Sequence, residues 1–121
     1  MEKILLCSYD PIFTKALMGV VFQEGYGVEV VDHAALAVQK AMARSYAGVI
    51  LDSGSIGLPA EEAAKIINLA VGDVPVIVAG STGTSDGGTW SIRRPPDLLE
   101  VTQVVRELRT RTEAERRGRG I

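Results

Sequence analysis

Residues 47–58 read Ala-Gly-Val-Ile-Leu-Asp-Ser-Gly-Ser-Ile-Gly-Leu. Val49, Ile50 and Leu51 form a short apolar run with two β-branched members, the pattern of a strand buried on both faces of a parallel sheet. The run stops at Asp52. A loop with Gly54 and Gly57 follows, and Pro59 stands where a helix can begin, a position with no N–H to lose. An acid at the carboxyl end of a central parallel strand lies where open α/β sheets place their ligands and chemistry. The rest of the chain decides whether Asp52 has the company it needs to react.

Working back from that strand, Val28-Glu29-Val30-Val31 reads as a strand, and Leu36, Val38, Ala41 and Met42 mark a helix ending near Ser45. Ile4-Leu5-Leu6-Cys7 reads as the first strand. Asp10-Pro11 then starts a helix, with Asp as cap and Pro at the first helical position. Ile12, Phe13, Ala16, Leu17, Val20 and Val21 recur at helical spacing up to Gly25.

Working forward, residues 59–70 form a helix with Glu61 and Glu62 in its first turn, where acids favour the helix dipole. Ile66, Ile67 and Leu69 supply its apolar side. Residues 74–79 form a fourth strand, with Pro75 tolerable near its start, and Trp90-Ser91-Ile92 a short fifth. Asp97 precedes a last amphipathic helix, with Leu98, Leu99, Val101, Val104, Val105 and Leu108 on its apolar side. Alternating strands and helices predict an α/β fold: βαβ units and a five-stranded parallel sheet in the flavodoxin-like order 2-1-3-4-5. That order brings Ser8, Tyr9, Asp10 and Asp52 to one edge.

One unit is abnormal. Residues 81–89 number nine, three of them Gly, whereas a crossover with its helix needs at least about 10–12 residues. The helix between strands four and five is expected to be missing or shortened. Its loss is expected to uncover an apolar patch on Val76, Val78, Trp90 and Ile92, a partner site in a soluble domain.

At 121 residues the chain fits one domain. Residues 1–113 form it, and residues 114–121 read as a basic tail or linker. Apolar residues make up 46%, enough for a core, and the net charge of −2 gives no overall pull on nucleic acid or membrane. Cys7 has no disulfide partner and reads as a core residue, which fits a reducing cytoplasm. Met1-Glu2-Lys3-Ile4 runs straight into a strand pattern, so no signal peptide is expected, and no apolar run is long enough to span a membrane. His33 lacks metal-binding company and reads as a surface residue.

In order, these segments resemble a bacterial response-regulator receiver domain from residue 3 to about 110. Residues 4–11 resemble its first strand and acidic corner, residues 49–52 its phosphoacceptor strand, residues 74–78 its fourth strand, and Arg93-Arg94-Pro95 its Lys-Pro corner. The resemblance implies an aspartate that carries an acyl phosphate, with Mg²⁺ held by that aspartate and an acidic pair. It also implies a hydroxyl residue and a lysine that read the phosphoryl group. Here Asp52 is the phosphoacceptor candidate. The acidic pair falls on Ser8 and Tyr9, with Asp10 one place later as helix cap. Gly80 takes the hydroxyl position, with Ser81 or Thr82 nearby, and Arg94 stands for the lysine. The resemblance also makes Arg94-Pro95 a cis peptide.

Mg²⁺ wants carboxylate and phosphate oxygens in near-octahedral geometry. With the pair gone, the expectation is no cofactor and no metal; any Mg²⁺ would use Asp10 and Asp52, in a phosphorylation-competent protein only. Asp52 is then a structural carboxylate, bonded by loop amides or Arg94, with Tyr9 filling the vacated space. The leading reading is a degenerate receiver domain, not an enzyme, that works through a protein partner or self-association. Its expected surface is Trp90, Ile92, Leu99 and Gln103 on the fifth strand and last helix. Neither a nucleic acid nor a membrane partner is expected for the domain. One alternative is a working response regulator phosphorylated on Asp52 by a histidine kinase. Another is a small-molecule or nucleotide binder using loops 53–58 and 81–89.

Overall fold

In this computed structural model, which describes residues 2–53, 57–72, 74–80, 89–92 and 97–119, two strands with buried apolar runs lie side by side within the sheet. They are β1 (Lys3–Cys7) and β3 (Gly48–Asp52). Pairing is parallel throughout, and the order is β2-β1-β3-β4-β5, with β2 spanning Gly27–Val31, β4 Val76–Ala79 and β5 Thr89–Ile92. This is the predicted order, fifth strand included.

The pleat sends alternate residues to opposite layers. Leu5, Cys7, Val49, Leu51, Val76 and Val78 pack under α2 (Ala34–Ala43) and α3 (Ala60–Val71). Ile4, Leu6, Ile50, Ile77, Ala79 and Ile92 pack under α1 (Pro11–Gln23) and α4 (Leu98–Arg119). On α1, Phe13, Leu17, Val20 and Val21 face the sheet, and on α4 Val101, Val105 and Leu108 do so. The start of α1 is as predicted: Asp10 Oδ1 accepts from the N–H groups of Ile12 (2.9 Å) and Phe13 (3.3 Å).

The inner faces of α2 and α3 differ from the expectation. They are built on Ala34, Ala37 and Ala41 with Val38, and on Ala60, Ala63 and Ala64 with Ile67. Leu36, Met42, Ile66 and Leu69 are instead solvent-exposed, Leu69 at 88%. Small residues let a helix lie close to a sheet of branched side chains, so the alanine stripe wins the inner position. Ile12, Leu98 and Leu99 are likewise exposed, not part of the apolar faces.

A second correction concerns β4 and β5. The expected uncovered patch is not found at Val76, Val78 and Ile92, all buried, with Ile92 only 3% exposed. The physical reason is that α3 reaches over β4, joining Ile67 and Ala64 to Val76 and Val78 in one cluster, while α4 covers Ile92. The expectation of a missing or shortened helix between β4 and β5 falls on residues 81–88, outside the described residues, as does the expectation for the Trp90 side chain. The last helix passes residue 113 without a break and continues to Arg119.

Polar ties join the layers. Glu29 on β2 receives Lys40 Nζ of α2 at 2.6 Å and the Tyr46 hydroxyl at 3.1 Å, with Arg44 3.9 Å away. The Lys40 contact holds the Glu29 carboxyl below the usual carboxylate range, and burial opposes it. Burial, and then the bond to Glu29, pushes the Tyr46 phenol up. A depressed folded-state value means stability present above the usual carboxylate range and lost as pH falls through the folded value. A Glu29→Gln variant should therefore be less stable than the parent at neutral pH. The gap should close as urea midpoints are followed into the acid range.

Candidate functional site

Register places the site. Cys7 pairs with Leu51 and Asp52 with Ala79, so the residues following β1 stand beside the end of β3. Asp52 is 0% exposed and Ser8 is buried beside it. The Ser8 hydroxyl donates to Asp52 Oδ2 at 2.7 Å and accepts from the Asp10 N–H at 3.0 Å. It has one proton to give, and the carboxylate wins it over the Asp10 carbonyl at 3.5 Å. Ser8 is held in turn by its own N–H, which donates to the Val31 carbonyl at 2.9 Å. A relay thus runs from the Asp10 amide through Ser8 to Asp52.

The other sequence-predicted residues are less closely gathered. Tyr9 does not fill a vacated metal space: it is 60% exposed. The reason is local, because the turn into α1 keeps Ser8 inward and swings its neighbour outward. Asp10 spends Oδ1 on capping α1. Gly80 has φ 84°, and its N–H donates to the Ile92 carbonyl at 2.9 Å. That left-handed backbone favours glycine over any hydroxyl residue, a local reason the sequence alone did not reveal. Ser81, Arg94 and Pro95 lie outside the described residues, as does the Arg94–Pro95 peptide. On α4, Leu99 and Gln103 are exposed one turn apart. No group of three or more His, Cys, Asp or Glu that could hold a metal occurs among the described residues.

Sequence reasoning missed an open concavity of about 620 Å³ beside this relay. It is lined by Tyr9, Thr14, Lys15, Met18 and Asp32 among others, and Asp52 does not line it. Positions 11, 14, 15 and 18 form one stripe of α1, a spacing that was available to find its wall. The His33 Nδ1–H donates to Asp32 Oδ1 at 2.7 Å and holds that exposed carboxyl below its usual range.

No protein-family model matches the chain, and no curated protein matches it. Solved structures do. The signal receiver domain of an HD domain-containing protein from Pseudomonas fluorescens is 17% identical with a TM-score of 0.82, covering 96% of this chain and 92% of that one. The fold is that of a receiver domain. A CheY-like response regulator receiver domain protein from Methanospirillum hungatei is 17% identical, with a TM-score of 0.80 over 95% of this chain and 98% of that one. The receiver domain of a sensor histidine kinase from Pseudomonas aeruginosa is 19% identical, with a TM-score of 0.76 over 88% and 96%; its active-site cleft holds a magnesium ion. At these identities the likeness shows the receiver fold, as the resemblance implied. No described helix is long and apolar enough to cross a membrane.

Proposed function

We propose that this protein is a receiver-like signalling module whose Asp52 site is held by hydrogen bonding, and that it works through protein contacts. The observation that carries the reading is the 2.7 Å bond from Ser8 to Asp52 at a fully buried position. Ser8 stands where the resemblance places a metal-binding carboxylate.

Magnesium does not fit the described donor set. It wants near-octahedral oxygen ligands, with carboxylates to offset its charge. Here Asp52 already accepts from Ser8, Asp10 Oδ1 accepts two amides, and Tyr9 turns outward. Without the ion, attack by a carboxylate on an anionic phosphoryl group proceeds against charge repulsion. Leu99 and Gln103, with Leu98 beside them, are exposed on α4 and support a protein-binding role for that surface. Ile92 has no part in it.

The test is incubation with acetyl phosphate and Mg²⁺, read by intact mass. The expected result is no gain of a phosphoryl group. A gain abolished by Asp52→Asn would instead establish a working response regulator, the reading favoured by the magnesium-bound relative from Pseudomonas aeruginosa.

A further inference from the structure

Among the described side chains, Leu108 is the last core residue of α4, and the helix continues to Arg119. Residues 109–119 add about 16 Å at 1.5 Å per residue. Val101, Val105 and Leu108 recur at i, i+4 and i+7. The same spacing continued gives Thr112, Glu115 or Arg116, and Arg119. The apolar stripe in the sequence therefore stops at Leu108, and Ala114 is the only apolar residue between it and Arg119.

Charge changes at the same point. Residues 109–119 hold Arg109, Arg111, Arg116, Arg117 and Arg119 against Glu113 and Glu115, a surplus of three positive charges. The whole chain carries −2, so the remainder carries −5. All four lysines, the last being Lys65, lie in that remainder; the distal helix uses arginine alone. Glu107 to Arg111, Glu113 to Arg117 and Glu115 to Arg119 are spaced i,i+4 with the acid first, the order that supports a helix without packing. Arg109 and Arg116 have no acid four residues before them, where Val105 and Thr112 stand.

We propose that residues 109–119 of α4 bind the phosphodiester backbone of nucleic acid. A segment with no apolar face has nothing to insert into a lipid surface and no aromatic or aliphatic anchor for a protein pocket. Charge is what it offers, and charge alone suffices for a phosphate backbone. Guanidinium forks match phosphate oxygens in pairs, which ammonium groups do not. The acidic body confines contact to the distal helix. Leu108 lies beside Gly48 and Ile4, at the amino ends of β3 and β1, so this segment leaves the sheet at the edge opposite Asp52. It is a site apart from the one proposed above and stands or falls separately.

The test uses the full chain and fluorescence anisotropy of short labelled DNA and RNA duplexes across a salt series. Binding should weaken with a log–log salt slope of about −3 to −4. The triple variant Arg109→Gln, Arg116→Gln, Arg117→Gln should bind about tenfold more weakly or worse, with its helix content checked by circular dichroism. The corresponding Lys substitutions, which keep the charge, should bind within about threefold of the parent, and Arg44→Gln should bind as the parent does. Which duplex binds tighter distinguishes DNA from RNA as the source of the backbone. No binding of either at about 50 mM salt would overturn the proposal. So would unchanged affinity in the triple Gln variant, or equal binding to polyglutamate or to anionic phospholipid vesicles.

Discussion

A Ser8→Asp variant is expected to melt about 10 °C lower than the parent in EDTA and to regain much of that loss in millimolar Mg²⁺, while the parent is indifferent to the ion. The hydroxyl at position 8 is a donor to a fully buried carboxylate. A second carboxylate in its place removes that donor and sets two acids together out of water. One of them must take up a proton or remain unpaired, and an uncompensated buried charge costs about 3 kcal/mol or more. For a domain of this size each kcal/mol is roughly 3–6 °C. The same change supplies a second anionic ligand, so a divalent cation that binds only the folded form stabilises it by mass action. A Mg²⁺-dependent melting temperature in the variant and not in the parent identifies position 8 as the residue that decides metal affinity. A parent that is itself stabilised by Mg²⁺ would argue against the functional reading.

The second large effect is expected at Gly48→Val. A Cβ at that position would stand 3.0 Å from Leu108 Cδ1 and 3.2 Å from Ile4 Cδ1, with the Pro75 carbonyl 3.6 Å away. The ends of both side chains must already give way to the Cβ, and the two further methyls of valine add to that crowding between the start of β3 and α4. Overpacking of a closed core costs about 3 kcal/mol, and the loss should appear as a lower urea midpoint with an unchanged slope. Its cause is the close passage of Leu108 across the sheet. Trimming the obstructing side chain, as in Gly48→Val with Leu108→Ala, should therefore cost less than the two single changes added together.

The strands were legible because central parallel strands carry uninterrupted apolar runs, and Ile4-Leu5-Leu6 and Val49-Ile50-Leu51 have no other comfortable place. The start of α1 was legible because Asp10-Pro11 states its own capping chemistry. The helix faces were harder. Met42 and Leu69 look like core residues by hydropathy alone, and only packing reveals that alanines hold the inner positions of α2 and α3. The covering of Ile92 depends on where α4 crosses the sheet, which no local pattern records. At the site, the position of Asp52 was readable from its strand. The bond from Ser8 was not, because it joins residues 44 apart in sequence through the register of two strands. Gly80 showed its absence of hydroxyl but not its reason, since φ is invisible in a sequence.

The contrast between the two helical layers implies opposite mutational tolerances. Around Phe13, Leu17 and Leu108, large groups interlock, so truncation opens holes. Under α2 and α3, shaving a methyl from alanine removes little, whereas a single leucine at Ala37 or Ala63 would lever an entire helix off its bed. A saturation screen scored for abundance should thus penalise small residues on one side of the molecule and bulky ones on the other.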